Sequence, residues 1–377
     1  MATNRPDLCS VILVSDKKDF TSFVEFPYSH YANDEHWVPP LRLQQREILD
    51  INKNPFFEDA EMALFLAEFN GKVAGRIAAI HNKAYNRFNN LEAGFFGFFE
   101  CIDNQQVADL LLKVATDWLK DRGLNVVYGP FSPNMMAEIG ILIEGFEYDP
   151  SLMMPYNKTY YDKLISSAGF TKKVDLLAFR ITDDVVDMDR IKKADDVVKR
   201  RMPNLHIRDV NLKNLKEESI IIRDIFNKAW AKNWGFAPVS ENEFDHIVKD
   251  LKMIIDTDFA QVAEIDGIPV AFSISLPDMN IAFKKMNGSL FPFGIFKLLY
   301  YKNKIKQMRT ALMGVLPEFQ GRGIDIVLHQ RGVINGLNRG FKSSELSWLL
   351  ETNTSMINVA VRLGAFVEKK YRIYEKQ

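Results

Sequence analysis

Five consecutive residues, Gln320-Gly321-Arg322-Gly323-Ile324, bring two glycines and a guanidinium together in a 377-residue chain. Two chemistries fit them. Glycines let a phosphate approach main-chain N–H groups with no Cβ in the way, and Arg322 adds a positive charge. Equally, the residues suit an ordinary turn between a strand and a helix. The Gly-Lys-Ser/Thr ending of a Walker loop is absent, and the spacing is not the dinucleotide Gly-x-Gly-x-x-Gly.

The flanks say where the stretch sits. "QMRTALMGVLPEF", before it, alternates and then turns continuously apolar, as a central strand does. "IDIVLHQRGVINGLN", after it, places Ile324, Val327, Leu328, Arg331 and Ile334 at helical spacing. A helix that opens here turns the N–H groups of its first turn outward, with the positive end of its dipole behind them. His329 falls off the packed face in this reading and is expected at the surface or in packing.

The same order of elements occurs twice. "LAEFNGKVAGRIAAI" (Leu66 to Ile80) matches "VAEIDGIPVAFSISL" (Val262 to Leu276), each a hairpin around Asn70-Gly71 or Asp266-Gly267. "TDWLKDRGLNVVYGPF" parallels "INGLNRGFKSSELSWLL", and "YYDKLISSAGFTKK" parallels "INVAVRLGAFVEKK". The offsets are 196, 217 and 195 residues, so each copy carries an insertion of about twenty residues at a different place. Each copy reads as helix, helix, hairpin, strand, helix, strand, helix, strand, an α/β arrangement with helices on both sheet faces. A charge-rich helix, "DDVVDMDRIKKADDVVKRRMPN", joins them.

On these residues the second half resembles the GCN5-related N-acetyltransferase (GNAT) superfamily. That family's signature is a strand ending Val-x-Pro, then Gln/Arg-x-x-Gly-x-Gly/Ala opening a helix. Here Val315-Leu316-Pro317 is followed by Gln320 to Asp325, and "NTSMINVAVRLGAF" meets a later signature loosely, with Asn353 and Gly364 correctly spaced. The resemblance covers roughly Leu205 to Gln377 and extends through the repeat to a degenerate copy, Met1 to Ile181. It implies an α/β (α+β) fold of two tandem acyl-CoA N-acyltransferase domains, each a mixed, mostly antiparallel sheet flanked by helices. The expected divisions are a degenerate domain at 1–182, a linker helix at 183–204 and an acyl-CoA-binding domain at 205–377. The implied activity is N-acetyltransferase or other N-acyltransferase chemistry, in which an amine attacks acetyl-CoA or another acyl-CoA directly in a ternary complex. Val315, Gln320, Gly321, Arg322, Gly323, Ile324 and Asn353 would bind the acyl-CoA, with its pantetheine inserted beside a splayed strand. A small molecule or a peptide would supply the amine.

Two positions depart from the family pattern. Asp325 stands where Gly or Ala is usual and is read as capping the helix. Ala360 stands at the general-acid tyrosine, so Tyr371 and Tyr374 on the final strand are the candidate substitutes, and Glu351 at the end of "SSELSWLL" is the candidate base. In the first copy the equivalent turn, "CIDNQQ", lacks glycine; Asp103 reads as an N-cap, and the half is expected to shape or support rather than bind a cofactor. "YGPFSPN" (Tyr128 to Asn134) either aims side chains into a cleft or merely fixes a turn.

Bulk properties narrow the classes. Formal charge is −1 with basic residues dispersed, so no nucleic-acid partner is expected. Two cysteines and six histidines without ligand spacing give no metal site. "MATNRPDLCS" lacks a signal pattern and no apolar run spans a bilayer, so a cytoplasmic protein without integral membrane association is expected. The aromatic, basic insertion "FKKMNGSLFPFGIFKLLYYKNKIKQ" reads as packing against the first domain, as a lid over the acceptor, or as a membrane-surface helix. A non-catalytic CoA-binding scaffold and a transferase of bulkier aminoacyl or fatty-acyl groups are the alternative functions.

Overall fold

The structure, a computed structural model, describes residues 8–377; residues 1–7 of the N-terminal stretch read above lie outside them. The elements before the connecting helix are β1 (Cys9–Leu13), α1 (Lys17–His30), α2 (Arg42–Ile48), β2 (Ala60–Phe69), β3 (Lys72–Asn82), α3 (Lys83–Asn89), β4 (Ala93–Cys101), α4 (Gln105–Lys120), β5 (Val126–Gly129), β6 (Phe131–Ser132), β7 (Glu138–Ile139), β8 (Ile141–Glu144), α5 (Tyr161–Ser167) and β9 (Thr171–Thr182). The connecting helix is α6 (Met188–Arg201). After it come β10 (Leu205–Asp209), α7 (Leu215–Trp230), α8 (Glu241–Leu251), β11 (Ala260–Ile265), β12 (Ile268–Pro277), α9 (Asn280–Met286), α10 (Gly294–Lys302), β13 (Gln307–Val315), α11 (Ile324–Asn338), β14 (Ser343–Leu350), α12 (Thr354–Arg362) and β15 (Phe366–Lys376).

The chain forms two compact units. Unit 1 holds the residues up to Leu176 with Met286–Gly294 and Lys369–Gln377; unit 2 holds Leu177–Lys285 and Ile295–Glu368. These do not coincide with the sequence copies. The end of β15 completes the sheet of unit 1, with Tyr374 opposite Gly129, and the end of β9 lies next to β14 in unit 2. Each copy thus gives the last part of its final strand to the other unit, a boundary that similarity along the chain does not reveal.

Both sheets follow the expected mixed plan. In unit 1, β1-β2-β3-β4 are antiparallel and β4-β5 is parallel; in unit 2, β10-β11-β12-β13 are antiparallel and β13-β14 is parallel. The hairpin turns form as read, with φ of 51° and 76° at Asn70-Gly71 and 52° and 78° at Asp266-Gly267. The first strand of each unit, β1 and β10, escaped the sequence reading. Each is five residues of half-buried edge strand, too short for a clear period. In unit 1, α4 buries Val107, Ala108, Leu111, Leu112, Ala115 and Leu119 at helical spacing against the sheet. In unit 2, α11 buries Ile324, Val327 and Leu328.

Candidate functional site

Parallel pairing between β13 and β14 runs from Gln307↔Ser343 to Thr310↔Leu346 and stops there, although β13 continues to Val315 and β14 to Leu350. On its other side β13 stays paired with β12 out to Ala271↔Val315. The two strands therefore fork. Backbone groups alternate sides along a strand, and Leu316 N–H donates to Val270 O on the β12 side, so Met313 and Val315 face the fork. Their carbonyls are already engaged: Trp230 Nε1 donates to Met313 O at 2.8 Å and Gln320 Nε2 to Val315 O at 3.0 Å. Their N–H groups lie beyond the last rung shared with β14.

The glycine turn sits at the open end of this fork. Gly321 and Gly323 have φ of 74° and 89°, and Gly323 is the N-cap of α11 with no side-chain cap bond. Both positions thus need the left-handed conformation that glycine adopts readily. A Cβ on Gly321 would meet nothing within 4 Å, whereas one on Gly323 would press on Val198 Cγ2 of α6 at 2.8 Å. Among the described residues, no group accepts a hydrogen bond from the N–H groups of Gly321 through Asp325. Five main-chain donors at a helix N-terminus form a natural seat for a diphosphate, and Arg322, exposed and lying over the Phe319 ring, adds charge beside it. Asp325 does not cap the helix as expected. The N-cap is Gly323, and Asp325 stands as the acidic residue of the first turn.

A buried charge network stands where the fork begins. Arg309 and Glu345 are register partners, 5% and 0% exposed. Ser347 Oγ donates to Glu345 Oε1 at 2.6 Å and accepts from Arg309 Nε at 2.9 Å. Arg180 binds Glu368 through two bonds of 2.9 and 2.7 Å and reaches Glu345 Oε2 at 3.4 Å. Burial works against the Arg180 charge, yet the Glu368 bonds and the fields of Glu345 and Glu368 outweigh it and raise the guanidinium pKa. Such a network fixes the last rungs of the ladder. The sequence held a signal for it, a charge inside each of two central strands, which the motif reading passed over.

Val315, Gln320 to Ile324, Glu351 and Asn353 all belong to unit 2. Glu351 is half-buried, just past the end of β14 at the open arm of the fork. Asn353 caps α12, its Oδ1 accepting from Met356 N at 3.2 Å. Tyr371 and Tyr374 lie elsewhere. They are 0% and 1% exposed within unit 1, Tyr371 opposite Leu142 and Tyr374 in the core with its hydroxyl donating to Asp162. Burial, then Asp162, raises the Tyr374 pKa and holds the phenol neutral. Both phenols are thus buried in the sheet of unit 1, while the glycine turn belongs to unit 2. His329 is half-buried, in keeping with the packing role read for it. It lines a partly open pocket in unit 2 beside Gln261, Ser275, Thr310 and Leu346. Burial lowers its pKa against the pull of Asp325 one turn earlier.

In unit 1 the equivalent cap is Asn104, one residue after the expected Asp103, with Oδ1 accepting from Val107 N at 3.2 Å. The "YGPFSPN" segment carries the end of β5 and the whole of β6, where Ser132 Oγ accepts from Phe98 N–H of β4.

No family model matches the chain. It is 39% identical over 374 residues to Protein YghO of Escherichia coli (strain K12), covering 96% of this chain and 94% of that protein. It is 33% identical over 376 residues to a bacterial ceramide synthase of Caulobacter vibrioides, covering 97% of each. Among solved structures, a tandem GNAT protein from the clavulanic acid biosynthesis pathway superposes with TM-score 0.57 over 98% of both chains at 9% identity. The glucosamine N-acetyltransferase region of a fungal multi-domain β-N-acetylglucosaminidase gives 0.58 over 99% of this chain at 15% identity, this chain spanning 38% of that protein.

Proposed function

From the premise that the chain belongs to the family of Protein YghO and the bacterial ceramide synthase and has the fold of a tandem GNAT protein, we propose that it is an N-acyltransferase moving the acyl group of an acyl-CoA onto an amine. The observation that carries this is a strand fork ending in a glycine turn with five unpartnered N–H groups. In this reading Gly321 to Ile324 hold the diphosphate, with Arg322 adding charge. The N–H groups of Met313 and Val315 pair with the amide-bearing arm of the substrate, while Gln320 and Trp230 occupy the competing carbonyls. Asn353 keeps the start of α12 in place beside the fork.

An attacking amine must be neutral, so a base is required. We assign that role to Glu351, acting directly or through water, because its carboxylate follows the open arm of β14. The leaving sulfur needs stabilisation or a proton as the thioester breaks, and Tyr371 and Tyr374 are set aside for it by their burial in unit 1.

A ceramide is an amide of a fatty acid with a long-chain amino alcohol. The name of the 33% identical relative therefore puts a long-chain acyl-CoA and a lipid amine ahead of acetyl-CoA and a soluble amine for this chain. The test follows free CoA thiol and amide product with acetyl-CoA and palmitoyl-CoA over a panel that includes sphinganine, short alkyl amines and peptides. Thiol release with sphinganine and palmitoyl-CoA, lowered in Glu351→Gln, is the expected result. CoA binding without thiol release on any amine would replace this reading with a non-catalytic one.

A further inference from the structure

The insertion between β12 and β13 lies outside the fork; its Met286–Gly294 stretch belongs to unit 1, and the rest, with nearly all of α10, to unit 2. From Asn280 to Gln307 it carries six lysines and no carboxylate, in a chain whose formal net charge is −1. Its helix α10 turns large apolar side chains to solvent: Phe296 is 68% exposed, Leu299 63% and Tyr300 59%. Phe291 and Phe293, leading into the helix, are 73% and 70% exposed. Met253, whose carbonyl accepts from Lys302 Nζ at 3.1 Å, is exposed to 72%. Isolated exposed apolar residues are ordinary on a protein surface, but several within ten residues mark a contact surface.

The lysines tell which contact. Lys297, Lys302, Lys304 and Lys306 direct their ammonium groups to neutral acceptors, the carbonyls of Lys285, Met253 and Arg339 and the Tyr300 hydroxyl. Their charges are thus left for a partner. A protein partner would usually present a shaped surface with placed carboxylates, whereas a bilayer interface asks only for apolar and aromatic side chains at one depth and cations at the headgroups. Lysine stems are long enough to let the first sink while the second stay wet. Among the described residues, no helix is long and apolar enough to cross a membrane, so the contact is with the surface.

We propose that α10 docks the protein on the surface of an anionic lipid bilayer. Phe296 and Leu299 enter the acyl boundary while Lys297, Lys302 and Lys304 meet phosphate headgroups. The inference rests on this segment alone and does not need the acyl-transfer reading, so the two can fail separately.

The experiment is co-flotation of the full chain with vesicles of phosphatidylcholine alone or mixed with phosphatidylglycerol. It compares wild type with Phe296→Ser/Leu299→Ser and with Lys297→Glu/Lys302→Glu, alongside melting curves and sedimentation velocity. Because the altered side chains are exposed, Tm should hold within a degree or two. Wild type should float with phosphatidylglycerol vesicles and release at high salt, and the serine pair should lose binding by about tenfold or more. The lysine reversal pair should weaken binding by at least about fivefold. Wild type that stays unbound, or equal flotation of wild type and the serine pair, overturns the proposal. So does a wild-type dimer that the serine pair converts to monomer without vesicle binding, which would make the surface a contact between copies.

Discussion

Each unit has one place where two parallel strands part, and the two places are finished differently. In unit 1 the rungs between β4 and β5 end at Phe95↔Tyr128. The chain then folds back so that an ideal Cβ on Gly97 would lie 1.5 Å from Phe131 O, and Ser132 Oγ accepts from Phe98 N–H at 2.9 Å. The helix that follows β4 has its first turn capped by Asn104. In unit 2 the strands part after Thr310↔Leu346, β13 is met there by the Trp230 indole of α7 rather than by a returning strand among the described residues, and the next helix opens on Gly323 with bare donors. The shared sheet plan creates a fork, and the local chain decides whether the fork is filled or offered to a ligand.

The way each fork is held gives the largest expected effect. Unit 2 relies on buried charges, so Arg180→Met leaves Glu345 and Glu368 without their common cation and should lower unfolding stability by about 3 kcal/mol or more. Urea denaturation measures it, and a loss under about 1 kcal/mol would mean that the ladder, rather than the ions, fixes the branch point. Unit 1 relies on close main-chain packing instead. Gly97→Ala forces a methyl into the Phe131 carbonyl and should cost about 2 kcal/mol, while Gly321→Ala, with open space around its Cβ, should cost only about 1 kcal/mol for its left-handed φ. Equal costs at the two glycines would erase the distinction between a filled and an open fork.

How much of this could be read in advance differs by kind of feature. The hairpins were legible because Asn-Gly and Asp-Gly carry their backbone demand locally. The glycine turn was legible because strand pattern, Gly-x-Gly and helix pattern follow one another without a gap. The repeat exposed the shared sheet plan for the same reason. The buried network was not, since Arg180 reaches Glu345 and Glu368 across 165 and 188 residues, and no local pattern carries such a pairing. Which sheet Tyr371 and Tyr374 enter was hidden for a related cause. Periodicity put them on the last strand, but nothing in that strand says that its end pairs with β5 in unit 1. Trp230 is simply the last residue of α7 in sequence; only the strand it meets gives its indole a role.

Gly321→Asp keeps a residue type that tolerates left-handed backbone and sets a carboxylate among the N–H groups of the turn. Affinity for CoA, followed by titration calorimetry, should fall by about tenfold or more. Unchanged affinity would move the diphosphate away from this turn and leave the two forks functionally alike.

The smallest effects separate capping from binding. Asn104 and Asn353 each accept one N–H at a helix start, so alanine at either should cost about 1 kcal/mol of stability. They differ in position: Asn104 follows the filled fork and Asn353 follows β14, the outer arm of the open one. Asn104→Ala should therefore lower stability and leave CoA affinity as it was. Asn353→Ala should lower both, because loss of the cap lets the first turn of α12 fray beside the fork. A variant at Asn353 that loses stability alone would reduce that residue to a cap and confine the acyl-CoA contacts of unit 2 to β13 and the glycine turn.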